Sequence, residues 1–144
     1  MKPSLRIASL ALSILFASGA AMADVNIGVS MSQFDDTYLT YLRESMNDKA
    51  KTYPEGVKLQ FEDARADVVK QLSQVENFIS QKVDAIIVNP VDTASTDRIT
   101  KAAVAAGIPL IYVNRRPDQT DLPQGVATVA SDDLEAGRMQ MQYL

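Results

Sequence analysis

Five short apolar runs divide the chain, at residues 25–30, 57–62, 83–90, 110–113 and 126–130. Between them the apolar positions change period. In 57–62 Val57, Leu59 and Phe61 alternate, as one face of a strand requires, whereas Leu39, Leu42, Met46 and Ala50 recur at helical spacing over 36–51. Val68, Leu72, Val75 and Ile79 give a second apolar helix face over 67–81, with Asp67 placed to cap its start. The run at 83–90 is apolar almost throughout, the signature of a strand buried on both faces. A third helix is expected over 93–106, stopped by Gly107 with Pro109 just beyond, and a fourth after residue 131, capped by Asp132 or Asp133. Tyr53, Pro54 and Gly56 break the first helix from the second strand.

Strands that recur every roughly 25–30 residues with a helix between them are spaced as right-handed βαβ units. The expected fold is α/β: an open, doubly wound parallel sheet with helices on both faces. The polar, Pro- and Gly-containing stretch 119–125 reads as a linker. Residues 24–125 are therefore expected to form one lobe, and 126–144 to open a second one in a longer protein, because the last helical pattern reaches residue 144 without a stop signal.

The first 23 residues change the picture of location. Lys2 and Arg6 precede an apolar stretch at 7–16, and Ala21-Met22-Ala23 follows as a small-x-small site. That is the layout of a cleavable secretory signal peptide. Its removal moves the net charge from −4 to −6, which disfavours nucleic acid and anionic membranes as partners. The chain has no cysteine, so an exported product relies on its core rather than on disulfides and carries no lipid-modified N-terminal cysteine. A periplasmic protein is the expectation.

In open α/β sheets ligands bind beyond the carboxyl ends of the strands. After the first strand come Phe34, Asp35, Asp36 and Tyr38. Asp63 and Arg65 follow the second, Asn89 and Asp92 the third, and Asn114, Arg115 and Arg116 the fourth. Parallel strands bring these loops to one rim. A sugar hydroxyl both donates and accepts, and burying it without partners costs a few kcal/mol. A carboxylate such as Asp36 accepts from adjacent hydroxyls, Asn114 donates and accepts, Arg115 offers a planar fork of donors, and Phe34 or Tyr38 offers a ring to the C–H face of a pyranose or cyclitol. Phe34, Asp36, Tyr38, Asn114 and Arg115 form the principal candidate set, with Asp35, Arg65 and Asn89 around it. Simpler roles compete: Asp35 or Asp36 as a helix cap, Asn89 as a turn former, Arg115 as part of a solvated turn. The chain has no His or Cys, which removes most metal sites and the usual nucleophile–base pairs. It also lacks a G-x-G-x-x-G or Walker loop, so no cofactor is expected.

Several segments together carry a resemblance: Ile27-Gly28-Val29-Ser30, Phe34-Asp35-Asp36-Thr37-Tyr38-Leu39, the 83–92 segment, Gly107 through to Pro117, and 130–137. From residue 25 to 144 the chain resembles the periplasmic sugar-binding proteins of ABC transporters, in the galactose- and ribose-binding group with the type 1 periplasmic binding fold. The resemblance implies that Asp36 meets ligand hydroxyls, that Tyr38 lies against the ring, and that Asn114 and Arg115 act as the polar pair after the fourth strand. Asn114-Arg115-Arg116-Pro117 with Phe34-Asp35-Asp36 is similar to members taken to bind inositols or rhizopine-like aminocyclitols. The family closes two lobes around its ligand, so the resemblance implies an N-terminal piece of a non-enzymatic, monomeric receptor that delivers a monosaccharide or cyclic polyol to an inner-membrane permease. A sugar-responsive repressor on the same core is disfavoured by the export signal and the absence of a helix-turn-helix segment. The remaining alternative is an exported flavodoxin-like domain with an enzymatic or phosphoacceptor role.

Overall fold

The computed structural model describes residues 24–54 and 56–143; the expected signal peptide at 1–23 lies outside them. Among the described residues the elements follow in the order β1 (Val25–Met31), α1 (Thr37–Ala50), β2 (Val57–Asp63), α2 (Val68–Gln81), β3 (Ala85–Val88), α3 (Thr96–Ala106), β4 (Leu110–Val113), β5 (Val126–Val129) and α4 (Asp133–Met141). The strands form one sheet in the order β2-β1-β3-β4-β5, and every pairing is parallel. The expected α/β architecture is therefore present, and the strand order reverses between β1 and β3, where such sheets place their ligands.

Two cores lie on opposite faces of the sheet. Val75 and Phe78 of α2 and Ile99 and Ala103 of α3 pack with Ile86, Val88, Leu110 and Tyr112. On the other face Leu39 of α1 packs with Val29 and Met31, joined by the half-buried Leu42, Met46, Leu59, Phe61 and Ile87. Gly28 admits the Phe78 ring, since a Cβ at that position would come within 2.7 Å of three ring carbons. A lone glycine in a central strand commonly marks such a close approach.

The helix starts follow their caps. Asp36 accepts from the Leu39 amide at 2.8 Å, and Asp67 accepts from Val69 and Lys70 at 2.8 and 3.0 Å. Asp132 does the same for Glu135 at 3.0 Å. Gly107 ends α3 at φ +69. Three boundaries differ from expectation. The third strand is confined to Ala85–Val88, because Lys82 ends α2 in a left-handed conformation and the Val83 amide returns to the Phe78 carbonyl. α3 begins at Thr96 rather than 93, because Asp92 folds the preceding residues into a turn by accepting from Ser95 Oγ at 2.6 Å and from the Ala94 amide at 3.2 Å. The last helix ends at Met141, short of residue 144. β5 pairs with β4, so 119–125 loops back into the same sheet. α4 has no buried residue.

Candidate functional site

The carboxyl ends of β1, β2, β3 and β4 face one rim, and each loop there is held by a different device. After β1, Thr40 Oγ1 donates to the Phe34 and Asp36 carbonyls at 3.1 and 3.0 Å. Arg43 Nη2 donates to the Phe34 carbonyl at 3.0 Å, and its guanidinium stands 3.9 Å from the centre of the Phe34 ring. A cation over an aromatic face is an attractive pair, so one face of Phe34 is covered from within. Asp36 Oδ1 is committed to the α1 cap.

After β2, Arg65 and Ala66 are both left-handed, at φ 54 and 56. Non-glycine residues in that region cost of order 1–3 kcal/mol each and persist only where their surroundings hold them. Here the Ala64 amide donates to the Met31 carbonyl at 2.9 Å and the Ala66 amide to the Ser32 carbonyl at 2.8 Å. The Arg65 amide donates to Asp63 Oδ1 at 2.8 Å, and its side chain makes a loose, exposed ion pair with the same carboxylate at 3.8 Å.

After β4, Asn114 is left-handed at φ 66, a conformation asparagine tolerates better than most residues. Its amide donates to the Val129 carbonyl at 2.9 Å. Arg115 Nη1 crosses to the third loop and donates to the Pro90 and Val91 carbonyls at 3.2 and 2.9 Å.

The predicted residues thus share the rim but divide between two hollows. Tyr38 and Asn114 line one of about 330 Å³ with Leu42, Met46, Val129 and Ser131. Phe34, Asp35 and Arg65 line another of about 460 Å³ with Gln33, Asp63 and Ala66. Asp36 lines neither. Arg115 acts as a strap between loops, with Nε and Nη2 outside those bonds. Asn89 is fully buried. Its Oδ1 accepts from the Ser32 hydroxyl and amide at 2.6 and 3.3 Å, and its Nδ2 donates to the Val113 carbonyl at 3.2 Å. The sequence places Asn89 in the outer ligand set; here its side chain is buried and bonded at both amide ends, an internal clasp between the first, third and fourth loops.

Three contributors were absent from the expected set. Arg43 backs Phe34, and Gln71 and Gln74 lie buried beneath the loops. Part of the signal for the glutamines is in the sequence: Gln71 lies three residues after Val68 and four before Val75, and Gln74 four before Phe78, so each shares a helix face with apolar residues, where a polar side chain needs an internal partner.

A one-sided rim of carboxylates, amides and rings at the switch point of a parallel sheet defines a ligand-binding α/β lobe. By its match to the family model described as a periplasmic binding protein domain, over residues 27–144, the chain belongs to that family. The family is one of binding proteins, which favours the receptor reading over an enzymatic or phosphoacceptor domain. Over 128 residues the chain is 52% identical to a Rhizobium meliloti protein assigned, by name only, to rhizopine binding, covering 88% of this chain and 41% of that one. An ABC transporter solute-binding protein from Bacillus halodurans, solved with bound myo-inositol, is 41% identical with a TM-score of 0.68, over 81% of this chain and 42% of that one. The Caulobacter myo-inositol-binding protein bound to myo-inositol is 25% identical with a TM-score of 0.74, over 90% and 41%. The chain spans about two fifths of the length of these relatives.

Proposed function

We propose that this chain provides the first ligand-binding lobe of a non-enzymatic solute receptor that holds a cyclic polyol of the inositol or rhizopine type in the periplasm and presents it to an ABC permease. The observation that carries the reading is the meeting of Tyr38 from α1 with Asn114 from the β4 loop in one hollow at the rim. A ring beside a two-way hydrogen-bonding amide suits a ligand with apolar C–H faces and hydroxyl edges. The two similar structures that hold myo-inositol support this ligand class over open-chain or strongly charged solutes. Asp36 joins Tyr38 and Asn114 as a ligand contact in this reading through Oδ2, which the helix cap does not use. The lobe would run from residue 24 through β5, with α4 the first element of a second lobe.

One lobe supplies one side of a cleft, so millimolar affinity, about −4 kcal/mol, is the expected scale. The test is a myo-inositol titration followed by backbone amide NMR shifts, with ribose and galactose as comparators. Saturable shifts at residues 33–38 and 113–116 are expected, stronger for myo-inositol than for either sugar. Shifts confined to the opposite edge of the sheet, or none for any cyclitol, would overturn the assignment.

A further inference from the structure

Beneath the rim lies a connected set of buried polar side chains: Ser30, Ser32, Gln71, Gln74 and Asn89, none more than 5% exposed. Ser30 Oγ donates to Gln74 Oε1 at 2.7 Å and accepts from Gln71 Nε2 at 3.2 Å. Gln71 Nε2 also donates to the Asn89 carbonyl at 3.0 Å, while its Oε1 accepts from the Val91 amide at 2.9 Å. Gln74 Nε2 donates to the Asp63 carbonyl at 2.9 Å. Asn89 ties Ser32 to the Val113 carbonyl. The lattice therefore joins the ends of β1, β2, β3 and β4. It stops one residue short of Asn114, two short of Phe34 and two short of Arg65, and the Val91 carbonyl beyond it receives the Arg115 strap.

Apolar residues at 71 and 74 would extend the buried α2 face of Val75 and Phe78 and bury more hydrocarbon. A half-satisfied buried network is costly, whereas a fully bonded one fixes a unique arrangement. Every bond in this one ends on a loop of the rim or on the strand that leads to it. We propose that Gln71, Gln74 and Asn89 are positioning residues, whose lattice holds the four loops in the arrangement that receives the ligand although none of the three touches it. The proposal rests on the reading that this rim binds a cyclitol.

The test uses Gln71→Met in the full chain, with Val75→Ala as control. Val75 lies one turn further along α2, in the apolar core and outside the lattice. Amide hydrogen exchange is measured without ligand. In Gln71→Met, exchange should rise about tenfold or more at Ser32, Ala66 and Asn114, whose own bonding partners the substitution leaves in place, with Ile86 and Val88 unchanged. Val75→Ala should lower stability without singling out the rim. Well below the melting temperature, myo-inositol should bind about tenfold more weakly to Gln71→Met and unchanged to Val75→Ala, the pattern of lost pre-organisation rather than lost folding. Should Gln71→Met fail to fold, Gln74→Met, which leaves the Val91 tie intact, takes its place with the same expectations. Equal rim exchange and equal affinity in the lattice variant and the core control would overturn the proposal. If the wild-type chain ignores myo-inositol, the cyclitol reading falls, and the exchange comparison alone decides whether the lattice clamps the rim.

Discussion

Asn114 answers two demands at once. Its backbone is left-handed at φ 66, and its side chain lines the hollow opposite Tyr38. Glycine meets the first demand and not the second, whereas alanine meets neither. Asn114→Gly should therefore keep its melting temperature and lose its response to myo-inositol, while Asn114→Ala should lose the response and about 1–2 kcal/mol of stability; a thermal-shift series with and without ligand separates the two. Asp36 divides in the same way. Asp36→Ala should cost about 1 kcal/mol through the lost cap, and Asp36→Ser, which still caps, should keep the stability and weaken binding. Ligand response unchanged in Asp36→Ser would reduce Asp36 to a helix cap. At this scale the sequence was partly legible. It located the polar residues at strand ends, but Asn89 and Asn114 look alike there. Which of them turns inward is decided by contacts with Ser32 and the Val113 carbonyl, residues far apart along the chain.

Helices and strands were readable wherever a local device sets them. Asp67 and Gly107 bound α2 and α3 because one side chain or one φ angle does the work within a few residues. The start of α3 was missed because its turn is capped from Asp92, four residues before Thr96, and not from the adjacent Ser95. The tie between β1 and α2 is legible only in hindsight from Gly28. A Cβ there meets the Phe78 ring, and overpacking of this kind costs typically 1–3 kcal/mol. Gly28→Ala should destabilise on that scale by urea titration, and combining it with Phe78→Leu should cost less than the two single changes together. Tyr112 links β4 to α3 through the Thr100 hydroxyl at 2.8 Å and the Thr96 carbonyl at 3.1 Å. Burial pushes its phenol up from 10.0 to about 12, offset in part by the Thr100 bond and aided by the Asp97 charge. Because the folded value lies above the unfolded one, the contribution is whole below pH 10 and is lost as pH rises from 10 to 12. Melting temperatures across that window should fall more steeply in the wild type than in Tyr112→Phe.

For the whole molecule, the alternation of strand and helix was enough to give a doubly wound sheet, since each βαβ unit has one allowed hand and short connections. The sequence did not reveal which sheet the fifth strand joins. The segment 119–125 is polar and carries Pro and Gly whether it returns to its own sheet or leaves for another, and only the pairing of Leu110 with Val126 through to Val113 with Val129 decides the matter. We place the end of the first lobe after β5, because α4, with no buried residue, adds nothing to either core. A chain stopped after Ser131 should accordingly unfold in one cooperative step within about 2 °C of the 144-residue chain, less than the shift 1 kcal/mol produces in a domain of this size. It retains Ser131 and the rest of the lining of the Tyr38–Asn114 hollow, so its myo-inositol shifts should be the same. The comparison needs only two melting curves and two titrations. A melting temperature lower by several degrees would show that α4 belongs energetically to the first lobe, and the boundary would then have to be drawn beyond it.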